Sequence, residues 1–104
     1  MLLARALRRQ TTRSLSYLAS IDQGTSSSRV ILYDAESLTP VASHQVELQS
    51  ATTTPEPGWS QMDPAKILAS VDEAARGALE KAKASSKDVV GVGITNQRES
   101  TVCW

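Results

Sequence analysis

Residues 22–29 read Asp-Gln-Gly-Thr-Ser-Ser-Ser-Arg and stand between two apolar stretches, Tyr17-Leu18-Ala19-Ser20-Ile21 and Val30-Ile31-Leu32-Tyr33. The pattern predicts a strand, a hydroxyl-rich turn and a second strand. Such a turn suits phosphate handling: Gly24 lets the backbone approach an anion, while backbone amides and the hydroxyls of Thr25, Ser26, Ser27 and Ser28 can donate to its oxygens. Asp22 would hold or orient a Mg²⁺ ion, and Arg29 can neutralise charge. An ordinary hairpin turn with no ligand is the competing reading of the same residues.

A second polar cluster lies near the other end. Val89-Val90-Gly91-Val92-Gly93-Ile94 reads as a buried strand that delivers Thr95-Asn96-Gln97-Arg98-Glu99-Ser100-Thr101. Function concentrates where strands hand over to loops at their carboxyl ends. Here the bland reading is a charge cluster of Arg98 and Glu99 at a strand end. The sequence contains no Gly-x-x-x-x-Gly-Lys-Ser/Thr motif, so a P-loop is excluded as the source of phosphate binding.

The elements that must position these residues form a small βββαβ unit. Residues 17–22 and 28–34 form a hairpin, Asp34 to Leu38 a turn, and 41–48 a third strand with partial alternation. The Thr-, Ser- and Pro-rich stretch 49–57 reads as a loop. Asp63 caps a helix and Pro64 fits its first position. Ile67, Leu68, Val71, Ala75, Ala78, Leu79 and Ala82 recur at three- and four-residue steps and give that helix an apolar face for the sheet. Asp72 and Glu73 are helix neighbours about 100° apart, unsuited to act as a catalytic pair. Val102-Cys103-Trp104 reads as a further strand, whose unfinished sheet would expose an apolar edge and leave stability marginal.

Three segments together resemble the FGGY carbohydrate kinases, and within them the branch that phosphorylates glycerol: Ile21 to Arg29, Pro57-Gly58-Trp59 with Asp63-Pro64, and Val92 to Glu99. The Asp-x-Gly-Thr element is shared by all actin-like sugar kinases, whereas Asn96-Gln97-Arg98-Glu99 is similar to the glycerol branch alone. The resemblance covers roughly residues 17–104 and only the beginning of a two-domain family several times this length. It implies the α/β start of an actin-like, ribonuclease H-like ATPase domain with a mixed sheet.

The resemblance also implies roles. Thr25, Ser26, Ser27 and Arg29 match positions that contact the phosphates of ATP or ADP, and Asp22 the acidic residue near Mg²⁺. Arg98 and Glu99 match the glycerol-binding pair, the guanidinium donating to hydroxyls and the carboxylate accepting from them. The reaction implied is transfer of the γ-phosphoryl group of ATP to glycerol. The catalytic aspartate, a tyrosine contact and the adenine pocket come from later sequence in the family, so no catalytic base is expected within residues 1–104 and the chain is expected to be inactive alone. Homo-oligomers are expected of the full-length enzyme. Ser26 replaces a frequent threonine but keeps a hydroxyl, and Gln61 and Met62 replace a common acidic residue and histidine. A non-catalytic module that binds phosphate weakly or pairs with a longer subunit is the alternative.

Charge and targeting signals complete the reading. Arg5, Arg8, Arg9 and Arg13 precede the first acidic residue, so residues 1–21 carry +4, against seven basic and eleven acidic side chains beyond them. Residues 1–16 have the Arg-rich, acid-free composition of a mitochondrial transit peptide, with a basic tail and a wrongly joined upstream stretch as competing readings. The protein is accordingly expected in the cytoplasm or in mitochondria. No apolar run is long enough for a membrane span, and the basic residues lack the aromatic interleaving of a nucleic-acid surface. Cys103 is expected to be a buried structural thiol, His44 a solvated strand residue, and Trp59 a buried loop anchor or part of the pocket wall.

Overall fold

A computed structural model describes residues 15–103. Its main sheet has four strands: β1 (Tyr17–Gln23), β2 (Ser27–Asp34), β3 (Pro40–Glu47) and β6 (Val89–Asn96), ordered β3-β2-β1-β6. The first three are antiparallel neighbours, and β6 joins β1 in parallel, so the sheet is mixed. The Arg-rich segment at residues 1–14 lies outside the described residues, as does Trp104.

Turn chemistry sets the hairpins. Gly24 N donates to Ser27 O at 2.8 Å and closes the first turn. A Cβ on Gly24 would lie 3.2 Å from that same carbonyl, which explains the glycine. In the second turn Asp34 Oδ1 accepts from the amides of Glu36 and Ser37 at 2.9 and 2.8 Å, an Asx turn, and Leu38 takes φ 59° to complete the reversal.

The segment expected to be a plain loop contains more structure. A short 3₁₀ turn at Gln49–Ala51 leads into β4 (Thr52–Thr53), which pairs antiparallel with β5 (Gln61–Met62). This ribbon carries the Pro57-Gly58-Trp59 bend out from the body, with Gly58 at φ 84°. Trp59 at the bend is 53% exposed rather than a buried anchor.

Helix α1 (Pro64–Ala82) starts as expected: the Asp63 carboxylate accepts from Ala65 N at 2.9 Å, with Pro64 at the first position. It ends on Lys83, whose left-handed φ of 53° lets its amide reach Glu80 O and Leu79 O. The expected apolar face packs on the sheet through Ala75, Ala78, Leu79 and Ala82, with Leu68 the exception. Ser70, Ala74 and Ala78 are the buried residues of the helix, whereas Leu68 is 72% exposed. Small side chains let the helix lie close on β2 and β3, and Tyr17 of β1 completes the core with Val30 and Leu32 of β2. The helix stays away from β6, so Val90, Val92 and Ile94 are exposed on that strand and Leu68 overhangs open space.

His44 is half-buried under this helix instead of solvated, because its ring packs at Gly77. A Cβ on Gly77 would sit 2.4 Å from ring atoms of His44. Gly77→Ala is therefore expected to destabilise the chain by about 1–3 kcal/mol through overpacking. The same change in a His44→Ala background should stabilise it by up to about 1 kcal/mol, the helix propensity gain. Urea denaturation of the four proteins measures both.

Beyond β6 the chain forms a turn at Arg98–Glu99, and residues 101–103 have no regular structure. The expected strand over Val102 and Cys103 is thus absent, and Cys103 is exposed rather than buried.

Candidate functional site

Alternation along β2 divides the sheet into two faces. Ser28, Val30 and Leu32 point toward α1, so Ser27, Arg29, Ile31 and Tyr33 occupy the open face. Register then carries these assignments across the strands. Arg29 lies opposite Asp22 on β1 and Gln45 on β3, while Asp22 lies beside Thr95 on β6. One row across the open face therefore reads Gln45, Arg29, Asp22, Thr95.

Arg29 is held within this row by Gln45, whose Oε1 accepts from Nε at 3.0 Å and from Nη2 at 2.6 Å. Gln45 is held in turn, donating from Nε2 to Glu47 at 2.9 Å. The guanidinium thus turns from Asp22, and the exposed Asp22 carboxylate makes no ion pair with it. Asp22, Arg29 and Thr95 line a shallow depression with Ser20 and Gly93. Gly93 leaves its floor open, since a Cβ there would meet nothing within 4 Å.

The hydroxyls of the first turn separate into two groups. Those of Thr25 and Ser26 are exposed and that of Ser27 is half-buried, and among the described residues they make no side-chain hydrogen bond. Ser28 is fully buried, with Oγ 2.7 Å from Ser70 Oγ, and Ser70 donates to Ile67 O at 2.6 Å. Ser28 therefore binds the helix to the sheet and does not face an anion, which corrects the expectation of four available hydroxyls. Ser28→Ala is expected to lower stability by about 1 kcal/mol, the loss of one neutral hydrogen bond, and to leave anion binding at the turn unchanged. Chemical denaturation and a phosphate titration followed by NMR check the two halves.

The parallel pairing of β1 with β6 brings the two polar clusters to one end of the sheet. Gln23, the last residue of β1, lies beside Asn96, the last of β6. The turn at Gly24–Ser26 and the turn at Arg98–Glu99 thus both leave from carboxyl ends of parallel strands, the usual location of ligand sites in such sheets. Arg98 and Glu99 are exposed, and Glu99 adopts φ 56°, so the backbone reverses directly at the charged pair. On the helix side of these strand ends, Gln23, Thr25, Met62, Asn96 and Gln97 line an open cleft.

Gln23, Thr95 and Gln97 stand inside the candidate motifs, but their types alone assign them no role. Their signal was positional: each is polar and lies at or beside the end of a strand that already ended in a candidate turn.

No set of three or more His, Cys, Asp or Glu side chains that could hold a metal is present among the described residues. One exposed carboxylate beside a turn with free hydroxyls suits Mg²⁺ brought in on a nucleotide, since Mg²⁺ is commonly held by one or two carboxylates together with substrate phosphates. No helix among the described residues is long and apolar enough to cross a membrane.

Residues 17–104 match the N-terminal domain of the FGGY family of carbohydrate kinases. The chain belongs to that family. Similar FGGY relatives include a glycerol kinase of Aromatoleum aromaticum, 44% identical over 90 residues, and one of Arabidopsis thaliana, 48% identical over 92. These alignments cover 86% and 85% of this chain, and the chain spans 18% and 17% of those proteins' lengths. Among solved structures, the Plasmodium falciparum glycerol kinase with ADP is 34% identical, with a TM-score of 0.65 over 82% of this chain and 17% of its own. The mixed α/β sheet described above is accordingly that of the actin-like, ribonuclease H-like ATPase domain of FGGY kinases.

Proposed function

We propose that this chain supplies the phosphate-binding and polyol-binding turns of a glycerol kinase, which transfers the γ-phosphoryl group of ATP to glycerol and gives glycerol 3-phosphate and ADP. The observation that carries this reading is the β1–β6 register, which sets the Gly24–Ser26 turn and the Arg98–Glu99 turn side by side at one end of the sheet. It is supported by the names of the similar proteins, glycerol kinases, one of them solved with ADP.

Phosphoryl transfer asks the protein mainly to position two substrates and neutralise charge. In this reading the hydroxyls of Thr25, Ser26 and Ser27, with the backbone of the Gly24 turn, hold the phosphates. Arg29, steadied by Gln45, adds positive charge on the open face. Asp22 would hold Mg²⁺ that arrives on the nucleotide, which would supply neutralising positive charge there when bound. Arg98 donates to the glycerol hydroxyls and Glu99 accepts from them, a pairing that disfavours substrates lacking those hydroxyls.

A graft tests the reading, with residues 17–103 replacing their counterpart in the Arabidopsis thaliana glycerol kinase. The folded graft is expected to form glycerol 3-phosphate from ATP and glycerol. A folded graft without product would refute the proposal.

A further inference from the structure

Neither turn accounts for two carboxamides at the strand ends. Gln23 is 9% exposed, and its Nε2 donates to Gly24 O at 2.7 Å. Its Oε1 accepts from Gln97 Nε2 at 3.4 Å. Gln97 is half-buried, points Nε2 also toward Met62 Sδ at 3.7 Å, and accepts from Ser100 Oγ on Oε1 at 3.2 Å. A continuous run of side-chain contacts therefore leads from the carbonyl of Gly24 through Gln23 and Gln97 to Ser100. It brackets Arg98 and Glu99 from both sides.

Backbone pairing alone cannot do this. The β1–β6 ladder ends at Gln23 and Asn96, and the chain beyond it is a turn with one residue at positive φ. Side chains must fix how that turn sits relative to the Gly24 turn. A carboxamide suits the task because it donates and accepts at once. At position 97 the donor meets Gln23 and the acceptor meets Ser100, so both polar ends of a half-buried group are used.

We propose that Gln97, seated on Gln23, is the positioning residue that sets the Arg98–Glu99 turn against the Gly24 turn. The roles of the two turns rest on the proposed function, but the coupling between them needs no ligand. For a reaction that joins groups held on separate turns, the consequence is large, since misplacement by about 1 Å can lower a rate about a hundredfold.

The test uses the full ¹⁵N-labelled chain without ligand. In the wild type, a through-space contact between the side-chain carboxamide protons of Gln97 and Gln23 is expected. Gln97→Glu keeps the shape but replaces the donor by a carboxylate oxygen, so it is expected to move the Gln23 carboxamide and the Gly24 and Thr25 amide resonances. Gln23→Glu keeps an acceptor for Gln97 but loses the donor to Gly24, so it should move Gly24 and leave residues 98–100 close to their wild-type positions. A Gln97 that only fills space would leave Gly24 unmoved in Gln97→Glu, and that result overturns the proposal. So does the absence of the carboxamide contact in the wild type, which requires no variant to fold. An inactive graft would instead count against glycerol and ATP as the ligands and would not touch this coupling.

Discussion

Leu32→Ala is expected to remove a large share of the chain's folding free energy. Leu32 is 1% exposed and packs with Tyr17, Val30, Ala74 and Ala78, the point where sheet and helix meet. Truncation there removes about 2–5 kcal/mol, transfer and cavity terms together. The whole domain is stable by roughly 5–15 kcal/mol at best. This chain belongs at the low end, because Val90, Val92 and Ile94 remain exposed on β6 and contribute little burial. Far-UV circular dichroism against urea measures the loss. Val92→Ser, on the part of β6 that α1 does not reach and 55% exposed, is the matched control and should change stability by no more than about 0.5 kcal/mol. Equal losses at the two positions would mean that the core does not lie between β2 and α1.

In the graft, Arg98→Ala is expected to lower kcat/KM for glycerol about a hundredfold or more while KM for ATP changes little. A guanidinium hydrogen bond to a hydroxyl contributes about 1.5–3 kcal/mol, and two such bonds lost from the transition state exceed the 2.7 kcal/mol that a hundredfold represents. The asymmetry between substrates is the informative part. Arg98 lies beyond β6, whereas the phosphate turn leaves β1, so the two can be disturbed separately. Arg29→Ala should show the converse, with the larger change in KM for ATP. Steady-state kinetics with each substrate varied in turn separates the cases, and equal effects on both would contradict the division of labour.

Local signals made much of this architecture legible. Asp63 and Pro64 marked the helix start because capping chemistry is local, and the Gly24 turn was marked by its flanking apolar runs. The helix face was misread at Leu68 for a tertiary reason. Periodicity counts large apolar side chains, but the approach of α1 to the sheet is set by Ala74, Gly77 and Ala78, which are small enough to admit His44 and Leu32. The β4–β5 ribbon escaped notice because its two-residue strands pair across an intervening Pro-Gly bend, with no alternation to read. Cys103 was expected inside because it follows an apolar pattern that forms no strand, and Trp59 as a loop anchor or pocket wall; both are exposed.

The site shows the same division. Asp22, Thr25, Ser26, Ser27, Arg29, Arg98 and Glu99 are candidates because short motifs carry them. That Ser28 faces the helix follows only once alternation along β2 is fixed by the burial of Val30 and Leu32. The bridge from Gln23 to Gln97 depends on parallel pairing between strands 74 positions apart in sequence, which no local pattern announces.

The most direct test of the central claim is a crystal structure of the graft with glycerol and ADP. Glycerol hydroxyls are predicted within hydrogen-bond distance, about 2.6–3.2 Å, of the Arg98 guanidinium and the Glu99 carboxylate, with the ADP phosphates against the Thr25–Ser27 turn. Glycerol bound elsewhere, or phosphates that leave the Gly24 turn empty, would contradict the assignment of these two turns as halves of one kinase site.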